Sequence, residues 1–230
     1  MNRKIAVAID GPSGAGKSTI ARILAQQLHY IYVDTGALYR TVGYAALKEE
    51  IDPADGPAVE AMLPRLQVEL RHVDGLQRVF LNGEDVSDCI RTPAVSMAAS
   101  KVSALPAVRQ YLFSLQQDTA AAHDVIMDGR DIGTVVLPHA QVKIFLTASA
   151  EDRAARRYAE LQEKKVDTTF DEVLADMKQR DYDDAHRAAA PLKAADDAVV
   201  VDTTGNTLKQ SVEDLKKVVL ERLAAGEGHA

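Results

Sequence analysis

The segment Gly11-Pro12-Ser13-Gly14-Ala15-Gly16-Lys17-Ser18 fits the pattern G-x-x-x-x-G-K-[ST], a spacing whose chemistry is the cradling of a polyphosphate. Glycines let the backbone wrap inward until successive N–H groups converge on one phosphate, and a helix that starts there adds the positive end of its dipole. Lys17 brings a mobile charge to the β- and γ-phosphates, the Ser18 hydroxyl can ligate Mg2+, and Thr19 completes the candidate nucleotide-binding set. The pattern serves kinases, GTPase switches and motor ATPases alike. Lys164-Lys165-Val166-Asp167 faintly resembles a guanine-reading N-K-x-D, and Asp202-Thr203-Thr204-Gly205 a switch D-x-x-G. They occur in the wrong order, and the first falls between two helices, which argues against a GTPase.

Four further groups carry charge where charge is costly. Asp34-Thr35-Gly36-Ala37-Leu38-Tyr39-Arg40 follows a predicted strand, and strand C-termini line the ligand crevice of a parallel sheet. Arg40 can meet an acceptor phosphate there, while Thr35 offers a hydroxyl or a helix cap. Asp128-Gly129-Arg130-Asp131 also follows a predicted strand. Arg130 suits bidentate phosphate binding, and Asp128 or Asp131 could hold Mg2+ or accept from a base amine. A helix from Phe170 buries Phe170, Val173, Leu174 and Met177, and at the same spacing meets Arg180, Asp184 and Arg187. Guanidinium groups pointing inward need an anion or an ion-pair network opposite them. Arg153, Arg156 and Arg157 share another helix face, either as a solvated basic face or as part of a helical hairpin closing over a transferring phosphate.

These groups need elements to position them. Residues 5–9 read as a buried strand, then a helix bears Ile20, Ile23, Leu24 and Leu28 on one stripe, residues 30–33 form a strand, and a helix spans Leu38 to Leu47. Such alternation predicts a parallel sheet covered by helices. The rhythm changes after Pro53: residues 68–73 and 78–81 flank the turn signal Asp74-Gly75, and Asn82-Gly83 gives a second turn, so a small antiparallel piece is expected. Helices open at Thr92-Pro93 and at Pro106. Strands return at 125–127, 142–146 and 199–201, with capping boxes at residues 149–152 and 169–172. A closing helix carries Leu208, Val212, Leu215, Val219 and Leu223 on one face, and residues 224–230 are expected to fray.

The bulk composition excludes some partners. A net charge of −7 provides no basic field for nucleic acid, so a small anion must be held by local arginines. The apolar run at 5–9 is too short for a secretory core or a membrane span, so no membrane partner is expected. A single cysteine rules out an intrachain disulfide and points to a reducing cytoplasm. Cys89 itself is expected to be a small buried or half-buried apolar side chain, and His186 to lie on the surface.

Taken together, these stretches resemble the bacterial cytidylate kinases, members of the nucleoside-monophosphate kinase family of P-loop proteins. The likeness is carried by D-G-P-S-G-A-G-K-S at 10–18, D-T-G-A-L-Y-R at 34–40, I-R-T-P at 90–93, D-G-R-D-I-G-T-V-V at 128–136, V-K-I-F-L-T-A at 142–148 and R-D-Y-D-D-A-H-R-A-A-A-P-L at 180–192. It implies an α/β P-loop kinase fold with a parallel five-stranded core sheet flanked by helices, as a single domain. The core would comprise residues 1–52, 101–150 and 190–225, with a β-containing monophosphate-binding insertion at about 53–100 and a helical lid at about 151–188. It further implies transfer of the γ-phosphate of ATP, with Mg2+, to CMP or dCMP by a monomer. Thr35, Arg109, Asp131 and Arg187 would grip cytosine, Ser100, Arg180 and Asp184 would lie near the pentose, and Arg40 and Arg130 near the acceptor phosphate. Tyr39 joins that substrate set, and Lys17, Arg130, Arg153, Arg157 and Arg180 form the implied catalytic set. Thr35 stands where a serine is frequent in the family, which keeps the hydroxyl and adds a methyl. A carboxylate facing the cytosine amine and arginines facing its ring acceptors would discriminate against uracil. The alternatives are a kinase for UMP, dTMP or another small acceptor, and a P-loop switch module.

Overall fold

The apolar run ahead of the glycine-rich segment forms β1 (Ala6–Asp10), buried along its whole length because a parallel sheet is covered on both faces. The computed structural model describes residues 4–73 and 76–227; the expected turn at Asp74-Gly75 lies outside the described residues, as do 1–3 and 228–230. Helix α1 (Lys17–Leu28) turns Ile20, Ala21, Leu24 and Ala25 inward. It ends at His29, whose left-handed backbone lets its N–H reach the carbonyls of Ala25 and Gln26. Strand β2 (Ile31–Asp34) follows.

From Val33 to Thr119 the chain builds a compact unit of its own. Helix α2 (Thr35–Lys48) is capped by Asp34, whose carboxylate accepts from Ala37 N–H at 2.9 Å. Thr35 is therefore not the cap; it is the first helical residue and is buried. Helix α3 (Gly56–Met62), which the sequence pattern did not mark, is capped by Asp55 with proline in its first turn. Strands β3 (Val68–Val73), β4 (Leu76–Leu81) and β5 (Glu84–Asp85) make a three-stranded antiparallel sheet in that order. Asn82 and Gly83, at φ 51° and 84°, form the turn between the last two. Helix α4 (Pro93–Ser103) starts on a Thr92 cap, and α5 (Pro106–Ala122) leads out of the unit. Leu38, Val42, Met62, Val79, Ile90 and Leu112 fill the core. Cys89, expected among apolar neighbours, is exposed: in its short one-turn helix the inward place goes to Ile90.

The other unit, Met1–Tyr32 with Ala120–Ala230, holds the main sheet. Its remaining elements are β6 (Val125–Gly129), a π-type turn at Ile132–Val136, β7 (Val142–Thr147), α6 (Ala150–Glu163), α7 (Phe170–His186), β8 (Val199–Asp202) and α8 (Leu208–Glu227). The five-stranded parallel sheet runs β2-β6-β1-β7-β8. With β1 central, Asp10 lies level with Gly129 of β6 and Phe145 of β7, so three strand ends meet at one edge. Ile9, Leu24, Ile126, Ile144 and Leu215 are buried together beneath it. On α8, Val212, Leu215 and Val219 face the core but Leu208 is exposed, and the helix continues through the expected frayed tail as far as Glu227. No helix among the described residues is long and apolar enough to cross a membrane.

Candidate active site

The phosphate loop needs its glycines for space as well as for rotation. A Cβ on Gly11 would collide with the carbonyl oxygen of Leu146 on β7. One on Gly14 would come within 2.5 Å of Met177 Cε and 3.2 Å of Arg153 Cβ, and Gly14 and Gly16 both have left-handed φ, 74° and 89°. The loop is thus pressed against β7, α6 and α7. Lys17 is buried, and its Nζ donates to the loop's own Pro12 carbonyl at 2.7 Å. Burial first, and then the charge of Arg130, bring its pKa down to about 7, while Asp128, Asp10 and Asp184 pull the other way. A buried cation resting on one carbonyl has a strong reason to accept phosphate oxygens.

Asp128 at the end of β6 accepts from Ser18 Oγ at 2.8 Å and from the Tyr32 hydroxyl at 2.9 Å. Of the two aspartates that the sequence left open for Mg2+, Asp128 is the one placed beside Ser18. A hydroxyl and a carboxylate paired in this way are the hard oxygen donors that Mg2+ takes alongside phosphate oxygens and water. Asp10 has a different task. Its two carboxylate oxygens accept from Ile132 N–H at 2.8 Å and Gly133 N–H at 2.7 Å, pinning the π-type turn directly after Asp131. Burial pushes the Asp10 pKa up to about 6, although both backbone N–H groups hold it down.

Helix α7 shows why its charged stripe points inward. Thr169 and Glu172 form the reciprocal capping box that starts it, and it persists to His186, with Val173, Met177 and Asp184 buried on one side. Asp184 accepts from Arg130 Nε at 2.8 Å and lies 3.9 Å from Arg187 Nη1. Arg187 also donates to Asp131 at 3.4 Å and to the Ala190 carbonyl at 2.8 Å. Burial alone would raise the Asp184 pKa, but Arg130, Arg187 and Arg180 together hold it below the usual aspartate value. Arg130, Asp131, Arg180, Asp184 and Arg187 therefore form one network, within electrostatic reach of Lys17. His186 is exposed, stacked on Tyr182.

The three arginines of α6 separate into different tasks. Arg153 is buried and donates to the carbonyls of Ala148 and Ser13 at 2.9 Å each and to Asp181 at 2.6 Å, so it braces the phosphate loop against α7. Arg156 donates to the Thr203 carbonyl at 2.9 Å. Arg157, partly exposed, pairs with Glu160 at 3.0 Å. Ala154, Leu161, Val173 and Met177 give α6 and α7 a small apolar core between them.

In the Val33–Thr119 unit, α2 and α4 cross closely at Gly43, where a Cβ would meet Ala99 N at 2.9 Å and Ala98 C at 3.0 Å. One turn away on α2, Arg40 pairs with Asp34 at 2.7 Å, and its buried Nε has no hydrogen-bond acceptor among the described residues. Arg109 lies 5.7 Å from the Tyr39 ring centre and donates to the Ser103 carbonyl at 3.3 Å, while the Ser103 hydroxyl donates to the Ser100 carbonyl at 2.8 Å. This unit thus joins Tyr39, Ser100 and Arg109 through Ser103.

A family model described as cytidylate kinase matches residues 7–221. The chain belongs to the cytidylate kinase family. It is 51% identical over 219 residues to a cytidylate kinase of Caldicellulosiruptor bescii, covering 95% of each chain. It is 47% identical over 222 residues to one from Syntrophotalea carbinolica, covering 96% of this chain and 94% of the relative. Among solved structures, a gluconokinase from Sinorhizobium meliloti 1021 aligns at 14% identity and a TM-score of 0.49 over 98% of this chain and 97% of that one, too loose a likeness to carry an argument. For this cytidylate kinase family member, sequence reasoning missed Asp10, Ser103 and Asp181 as builders of the site. Asp10 was the one with a visible signal: a carboxylate that ends a fully apolar strand must find donors.

Proposed function

We propose that the protein transfers the γ-phosphate of ATP to the 5′-phosphate of CMP or dCMP, giving CDP or dCDP and ADP. The observation that carries this is the network of Arg130, Asp131, Asp184 and Arg187 within electrostatic reach of Lys17: paired guanidinium groups and carboxylates beside a polyphosphate loop. Family membership with cytidylate kinases named as such supports the nucleotide class.

ATP would lie along Gly11–Thr19, with Lys17 exchanging the Pro12 carbonyl for β- and γ-phosphate oxygens. Ser18 and Asp128 would hold Mg2+, which supplies positive charge to the phosphate oxygens when bound. On the acceptor, Arg130 and Arg40 suit the phosphate, Arg180, Asp184 and Ser100 the pentose, and Asp131, Arg187, Arg109, Thr35 and Tyr39 the base. An attacking phosphate dianion needs no strong general base, so positioning and charge neutralisation suffice for direct in-line transfer. Arg153 serves that transfer by fixing the loop, and Arg157 and Arg180 by adding charge. The lone cysteine is in keeping with a cytoplasmic setting, and the working unit in this reading is a monomer.

The test is ADP release from ATP with CMP, dCMP, UMP, AMP and dTMP in turn. CMP or dCMP should be the best acceptor. A higher kcat/KM with UMP or dTMP would overturn the cytosine assignment, and acceptor-independent hydrolysis would favour a switch module.

A further inference from the structure

Asp34 is held from outside the helix that it caps. The amide of Gln77, at the start of β4, accepts Asp34 N–H at 2.9 Å and directs its Nε2 at the Asp34 carbonyl at 3.4 Å. One side chain thus pairs with both polar backbone groups of one residue, as a neighbouring strand would. The Asp34 carboxylate is divided in turn: Oδ1 takes the Ala37 N–H and Oδ2 takes Arg40 Nη2 at 2.7 Å. Arg40 keeps its Nε buried with no acceptor among the described residues, and a buried donor of that kind calls for an anion. A continuous chain of bonds therefore runs from the three-stranded sheet through Gln77 and Asp34 to a guanidinium with a donor still to be used. All three residues lie in the same compact unit.

We propose that Gln77 is a positioning residue for the acceptor: it clamps the Asp34 backbone so that the carboxylate presents Arg40 to the acceptor phosphate. The inference rests on the assignment of Arg40 to that phosphate. It gives the antiparallel sheet a part in the reaction, since β4 brings the Gln77 amide to Asp34. Gln77 is half-buried, so its replacement removes a clamp without opening the core.

The experiment is steady-state kinetics on the full chain, varying CMP and ATP separately, for Gln77→Ala, Arg40→Ala and the double variant. Loss of this pairing should raise the KM for CMP by about fivefold to tenfold, the size of one net hydrogen bond. For Gln77→Ala alone, the KM for ATP and kcat should stay within about twofold of wild type. On the Arg40→Ala background, Gln77→Ala should have no further effect, because the two residues act as one unit. If Arg40→Ala raises the KM for CMP but Gln77→Ala does not, the clamp is refuted while the role of Arg40 stands. If Arg40→Ala leaves the KM for CMP unchanged, that role falls and takes the clamp with it. A Gln77→Ala effect that persists undiminished without Arg40, or that reaches ATP equally, overturns the proposal as well.

Discussion

Replacing Asp184 by alanine would leave Arg130, Arg180 and Arg187 gathered around a missing carboxylate. Breaking a buried ion pair by removing one partner costs about 3–5 kcal/mol, because the remaining charge has no compensation. The Arg130 side chain retains 22% of its exposure, so the lower end, about 3 kcal/mol, applies. In a chain of this length each kcal/mol moves the melting midpoint by about 2–4 °C, which gives a fall of about 6–12 °C for Asp184→Ala. Differential scanning fluorimetry of the ligand-free protein measures it. Asp184→Asn, which keeps an acceptor for Arg130 Nε without the charge, should fall between the two. Added sulfate should recover more of the midpoint in Asp184→Ala than in wild type, because it supplies the missing negative charge. The sign with pH is fixed by the lowered pKa of Asp184. The stabilisation is fully present above the ordinary aspartate value of 3.8 and is lost as pH falls through the lower folded value. The gap between wild type and variant should therefore persist from pH 5 to 8 and close only in stronger acid. A midpoint for Asp184→Ala within about 2 °C of wild type would show that the arginines are solvated and that the network contributes little.

Three other substitutions test separate parts of the site. Lys17→Met should abolish most phosphoryl transfer, by about 10²-fold or more in the ADP assay, yet raise the ligand-free melting midpoint at pH 7. A lysine brought down to about 7 weakens the fold as pH falls from 10.5 towards that value, so a lower midpoint in the variant would contradict the burial argument. Asp10, pushed up to about 6, contributes stability that is lost as pH rises through that value. Urea unfolding should therefore show wild type losing ground to Asp10→Asn between pH 5 and 7.5; parallel pH dependences would refute it. Gly43→Ala forces α2 and α4 apart and should cost about 1–3 kcal/mol. It should also raise the KM for CMP, since Tyr39, Arg40 and Ser100 ride on those helices; a melting midpoint and a KM both equal to wild type would count against the tight crossing.

Where an element announces itself by local pattern, the sequence was enough to find it. The loop at 11–18 had to follow a strand and open a helix, and it does so between β1 and α1. The α7 stripe kept its period from Val173 to Asp184, so its inward charges were visible before any partner was. What escaped notice were the pairings of side chains with backbone groups far away in the chain. Asp10 reaches Ile132 and Gly133, Gln77 reaches Asp34, and Arg153 reaches Ser13. None of these separations leaves a periodicity or a motif. Arg153, Arg156 and Arg157 looked equivalent because helical spacing reports a shared face and not the partner met by each atom. Helix α3 is short and follows a turn at Pro53, and its signal was weaker than the strand and turn residues after it.

The brace made by Arg153 has a thermodynamic consequence. One guanidinium ties the Ser13 carbonyl of the donor loop to Asp181, a single helical turn before Asp184. Any displacement of the loop on taking up nucleotide would therefore act, through Arg153 and Asp181, on the helix that carries residues proposed to hold the acceptor. Linkage makes that influence mutual: whatever factor the first substrate adds to the affinity of the second, the second must return to the first.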